Sequence, residues 1–138
     1  MTIRALFVAL LVGTAVAGCS FNPIATAQDL DCRNAADCRV RVSVNCSPTC
    51  AAAVDHERVF GKRNGDIVWE LQNQAYSFNR TNGIVFSSDS QGNFRCQVEA
   101  NGRKVQCSNR GDRGEYKYTV NLVGSPSVGP LDPWVVNN

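Results

Sequence analysis

Between Cys38 and Cys46 the chain alternates strictly. Cys38, Val40, Val42, Val44 and Cys46 fall on one side, and Arg39, Arg41, Ser43 and Asn45 on the other. A period of two over this length predicts a half-buried β-strand. Asp66 to Gln72 repeats the pattern with Ile67, Trp69 and Leu71 on one side, and Glu115 to Val123 repeats it with Tyr116, Tyr118, Val120 and Leu122. Tyr76-Ser77-Phe78 and Ile84-Val85-Phe86 are shorter strand candidates, separated by the turn signal Thr81-Asn82-Gly83. No window holds a convincing helical period, and only Ala51 to Val59 suits a helical turn or two. Short strands punctuated by Gly, Asn and Pro predict an all-β fold, a single small antiparallel β-sandwich of Greek-key type.

The most specific local expectation is a hairpin over Phe94–Asn109. Asn101-Gly102 is the dipeptide that a two-residue type I′ turn favours, because both central residues need positive φ. That turn sets Glu99 opposite Lys104 as an ion pair, Val98 opposite Val105, and Cys96 opposite Cys107. Facing residues in an antiparallel pair have Cα atoms about 4.5–5.5 Å apart, within disulfide reach. A Cys96–Cys107 bond follows.

Four further cysteines, Cys32, Cys38, Cys46 and Cys50, complete an even set of six. If 38–46 is one straight strand, its ends lie about 27 Å apart, which separates Cys38 from Cys46. Cys32 reaches at most about 21 Å past Cys38, so Cys32–Cys46 is strained. The local pairs Cys32–Cys38 and Cys46–Cys50 are then expected, although a bend in the strand reopens the alternatives. Up to three disulfides suit an oxidising compartment.

The seventh cysteine is Cys19. Arg4 precedes an uncharged apolar run from Ala5 to Ala17, about 13 residues, too short for the roughly 20 of a bilayer-spanning helix. A basic start, a short apolar stretch and small residues make a secretory signal peptide. Val16-Ala17-Gly18-Cys19 resembles the lipobox of bacterial prolipoproteins. That resemblance implies cleavage before Cys19, a diacylglycerol on its thiol, and membrane anchoring by several acyl chains, which hold where one chain alone is marginal. Residues 1–18 are then the leader, 19–31 the anchor and tether, and 32–138 the domain. Ser20 following the anchor implies the outer membrane, facing the periplasm or the cell surface. The competing reading is cleavage after Ala25-Thr26-Ala27, which would release a soluble protein beginning at Gln28.

Removing the leader leaves about 119 residues, enough for one domain. The net charge falls from +2 to about +1 as Arg4 departs. Such a balance gives no nucleic-acid footprint, which needs clustered Lys and Arg. Cys46-x3-Cys50 has zinc-like spacing but no second half, so no metal is expected. The strand texture from Ile67-Val68-Trp69 to Tyr116-Lys117-Tyr118-Thr119-Val120, with the ending Leu131-Asp132-Pro133-Trp134, resembles small uncharacterised β-sandwich proteins of proteobacteria. It is loosely similar to the cupredoxin or immunoglobulin sandwich. Copper needs two histidines and a cysteine, usually with a methionine. His56 stands alone and Met1 leaves with the leader, so neither copper nor another cofactor is expected.

His56 lies between Asp55 and Glu57, a candidate general base, but adjacent residues do not converge on one point and no Gly-x-Ser-x-Gly elbow is present. Arg110-Gly111-Asp112 is a candidate adhesion tripeptide in a stretch where turn chemistry also favours Asn, Gly and Asp. Asn45-Cys46-Ser47 and Asn79-Arg80-Thr81 match glycosylation sequons, which a bacterial lipoprotein does not normally use. Together these features point to a non-enzymatic envelope lipoprotein that binds or organises an envelope protein or polymer. The alternative is a periplasmic inhibitor or immunity protein against a cell-wall hydrolase, and a hydrolase using scattered carboxylates comes third.

Overall fold

The computed structural model describes residues 28–138. Twelve strands follow in chain order: β1 Leu30–Asp31, β2 Arg39–Cys46, β3 Cys50–Val54, β4 Arg58–Gly61, β5 Asp66–Leu71, β6 Tyr76–Phe78, β7 Ile84–Phe86, β8 Phe94–Val98, β9 Lys104–Asn109, β10 Gly114–Val120, β11 Leu122–Gly124 and β12 Trp134–Asn137. One sheet has the order β1-β4-β12-β10-β7 and the other β3-β2-β5-β9-β8; β11 and β6 form a separate ribbon. The domain is the expected all-β sandwich. Its five-stranded sheets are mixed rather than purely antiparallel, because β1–β4, β4–β12 and β2–β5 pair in parallel. Parallel neighbours need a long crossover, and the chain supplies one by leaving β2's sheet for β4 before returning as β5.

The predicted faces are the observed ones. Val40, Val42, Val44, Ile67, Trp69 and Leu71 are buried, as are Tyr118 and Val120. Aromatic rings join the two sheets: Trp69 meets Tyr118 edge-on at 5.1 Å, and Phe94 of β8 stacks on Phe86 of β7 at 3.6 Å. Trp69 Nε1 and Tyr118 OH are enclosed and find no hydrogen-bond partner. Burial pushes the Tyr118 phenol well above its ordinary range.

All three disulfides are present as Cys32–Cys38, Cys46–Cys50 and Cys96–Cys107, with Cα separations of 5.3, 3.9 and 4.0 Å. Three such bonds indicate an oxidising, extracytoplasmic compartment. Two expectations change, one of a helical turn and one of a strand. Ala51–Val59 forms no helix: the Cys46–Cys50 link reverses the chain, and Cys50–Val54 runs back along β2, Asn45 opposite Ala51 and Val42 opposite Val54. Ladder bonds there outweigh the helical preference of three alanines. Glu115–Val123 is not one strand either. It breaks at Asn121, whose N–H donates to Gly83 O (2.9 Å) and whose carbonyl accepts from Asn79 N (3.0 Å), so β11 leaves for β6. The first sheet also takes in Leu30 and Asp31, residues that the sequence assigns to the tether.

The hairpin register holds, with Cys96 opposite Cys107 and Val98 opposite Val105. Its turn is wider than the two-residue form. Gly102 N donates to Glu99 O (2.8 Å), Glu99 N donates to Lys104 O (2.9 Å), and only Gly102 of the pair has positive φ, at 67°. Tertiary bonds account for the difference. Arg103 O accepts from Leu71 N (2.9 Å) and Gly102 O accepts from Phe78 N (2.8 Å). The Arg103 guanidinium donates to the carbonyls of Leu71 (2.6 Å), Tyr76 (2.7 Å) and Asn73. With Arg103 drawn toward the end of β5, it does not close a tight pair with Ala100. Glu99 and Lys104 do not form the expected ion pair; Glu70, opposite Lys104, pairs instead with Arg39 at 3.0 Å.

Candidate binding surface

The polar side chains singled out in the sequence are dispersed by the fold. His56 sits in the Asp55–Glu57 connection from β3 to β4; its Nδ1 lies against the Gln28 carbonyl and its Nε2 is 3.6 Å from Asp55. Asp55 also accepts from Arg41 N at 2.9 Å. Other carboxylates are held apart on the surface: Asp66 accepts from Gln106 and Ser108, Glu115 from Arg58, and Asp132 from Thr119 (2.9, 2.9, 2.5 and 2.8 Å). Asp31 is exposed, and the hydrogen bonds from Arg33 lower its pKa to about 2. Among the described residues, no group of three or more His, Cys, Asp or Glu side chains is placed to hold a metal ion.

Arg110, Gly111 and Asp112 form a strap tied to the sandwich. Gly111 is buried, and its N–H donates to Asn109 Oδ1 at 3.0 Å while its carbonyl accepts from Asn137 Nδ2 at 3.1 Å. Asn109 of β9 and Asn137 of β12, both buried, exchange amide bonds of 2.7 and 2.9 Å across the two sheets. A side chain on Gly111 would lie 2.9 Å from the Tyr116 ring. Arg110 and Asp112 themselves are exposed, and Asp112 pairs with Arg63 at 2.6 Å. Cys19 lies outside the described residues.

A surface that the sequence reading overlooked lies along β3. Because pairs in an antiparallel ladder alternate, and Asp55 N bonds Arg41 O at 3.0 Å, the bonded positions of β3 are Ala51 and Ala53. The backbone N–H and C=O of Ala52 and Val54 therefore face away from β2, toward the open edge. Their side chains share the face of the buried Val44 and Val42. Beside this edge is a cleft of about 280 Å³ lined by Ala52, Ala53, Val54, Leu131 and Pro133, with Glu57 and Asp132 at its rim. Trp134 N donates to Glu57 O at 2.9 Å, fixing this loop against β12. The signal was present in the uncharged run Cys50–Val54, but its alanines read as helix.

In comparison with known proteins, no family model matches the chain, and no curated protein matches it either.

Proposed function

We propose that the chain is an exported lipoprotein, anchored through Cys19 in the outer membrane, whose β-sandwich serves as a non-enzymatic binding module for an envelope protein or polymer. The observation that carries this reading is the disposition of polar chemistry. His56 and the carboxylates are dispersed over the surface rather than gathered in one cluster among the described residues, while three disulfides and a cross-sheet amide pair brace the frame that displays them. Such a braced frame can present loops and edges to a partner at little ordering cost. The basic start, the short apolar run and Val16-Ala17-Gly18-Cys19 support the anchor. From Cys19 to Leu30 the chain spans at most about 40 Å when fully extended, so any partner is met close to the membrane.

Crosslinking followed by pull-down of the lipidated protein from native envelopes tests both halves. The expected result is one stoichiometric partner, or retention on one envelope polymer, together with release of Cys19→Ala from the membrane fraction. A Cys19→Ala protein that still sediments with membranes overturns the anchor. Recovery of bulk membrane protein alone overturns the binding role.

A further inference from the structure

We propose that β3 is a docking edge, where an extended segment of a partner protein, apolar at one position and basic two residues on, adds to the sheet as a further strand. This rests on the binding-module reading and names its surface and partner. The two five-stranded sheets have four edge strands, and the β11–β6 ribbon adds two of three residues each. β1 and β7 are two and three residues long, too short to template a long pairing. β8 has five residues but carries Arg95. β3 also has five, Cys-Ala-Ala-Ala-Val, with neither charge nor proline. Proteins ordinarily blunt an exposed edge with charge, proline or shortness. The other edges here follow that rule and β3 does not.

The chemistry beside β3 indicates its occupant. Strand addition draws affinity from main-chain bonds and selectivity from pockets for alternate side chains. The outward N–H and C=O of Ala52 and Val54 supply the first. The cleft between Val54, Leu131 and Pro133 supplies the second, with room for one branched aliphatic side chain. Residues two apart on an added strand share a face, so the next side chain on that face meets the rim. Exposed Glu57 and Asp132 stand there; Asp132 accepts from Thr119 Oγ1 at 2.8 Å and lies 3.6 Å from Lys117, while the Glu57 carboxylate has no ion pair among the described residues. An acidic rim around an apolar cleft selects lysine or arginine beside valine or leucine.

The test uses hydrogen exchange on the exported, disulfide-bonded protein, with the peptide acetyl-Thr-Val-Thr-Lys-Thr-amide as probe. The expected result is slowed exchange at Ala52 and Val54 on adding peptide, and little change elsewhere. Ala52→Pro removes an outward donor and spares the ladder to β2, and it should abolish the effect. Glu57→Lys changes only an exposed side chain and should weaken binding about tenfold or more. The proposal is overturned if the peptide protects other strands or none, if both variants bind like the parent, or if Ala52 and Val54 are already protected without peptide. Peptide binding that ignores both variants removes β3 from the account and leaves the binding-module reading intact.

Discussion

Asn137→Ala probes the clasp that joins the two sheets. Asn137 Oδ1 accepts from Asn109 Nδ2, while its Nδ2 donates to Asn109 Oδ1 and Gly111 O, in a site where Asn109 is fully enclosed. Truncation leaves the Asn109 amide donor and the Gly111 carbonyl without these partners; Asn109 Oδ1 keeps Gly111 N. Each orphaned buried group costs about 1–3 kcal/mol, so the variant should lose about 2–6 kcal/mol. That is a large share of the roughly 5–15 kcal/mol that holds a domain folded. Urea unfolding with the disulfides intact reads this as a midpoint lowered by about 1–3 M, at a slope near 2 kcal/mol per M. Asn109→Ala should cost a similar amount, and the double variant should fall short of the sum by about 1–3 kcal/mol, since both substitutions break the same pair. A loss below about 1 kcal/mol, or strictly additive costs, would refute the claim that these amides form one buried unit.

Arg103→Met should destabilise by about 2–4 kcal/mol, read by thermal unfolding, since it removes a guanidinium bonded to three carbonyls; wild-type stability would show those bonds to be dispensable. Replacing both cysteines of Cys46–Cys50 with serine should cost about 1.9 kcal/mol and of Cys96–Cys107 about 2.8, because the second closes the longer loop. A reversed order in denaturant titrations would contradict that loop-entropy account. Asp31 should titrate near 2 by NMR and return to the ordinary carboxylate range in Arg33→Ala. Its native pKa is depressed, so any stabilisation from this pair is present above the ordinary value of 3.8 and disappears as pH falls through about 2. Unchanged titration in the variant would remove Arg33 as the cause.

The strand faces were legible because burial of one side imposes a period of two. Val40, Val42 and Val44 or Ile67, Trp69 and Leu71 reveal their orientation without reference to any partner. The hairpin register was legible for a related reason, since Asn101-Gly102 and two cysteines constrain the same short segment. The candidate docking edge was not. Cys50–Val54 becomes a strand only beside β2, and its open side exists only because the sheet ends there. Nor did the sequence mark Asn73, whose side-chain amide bonds both Val44 N and Val44 O at 2.6 and 3.0 Å and continues the ladder past β5.

Local sequence thus determined the all-β class, the buried faces, the hairpin register and the three short-range disulfides, because each depends on periodicity or covalent reach within a few residues. Only the tertiary structure decided which strands share a sheet, the parallel joins, the wider turn at Gly102 and the burial of Asn109 against Asn137. Those features depend on backbone and amide groups from distant segments finding one another, and a polar group carries no mark in the sequence of the partner that will satisfy it once it is buried.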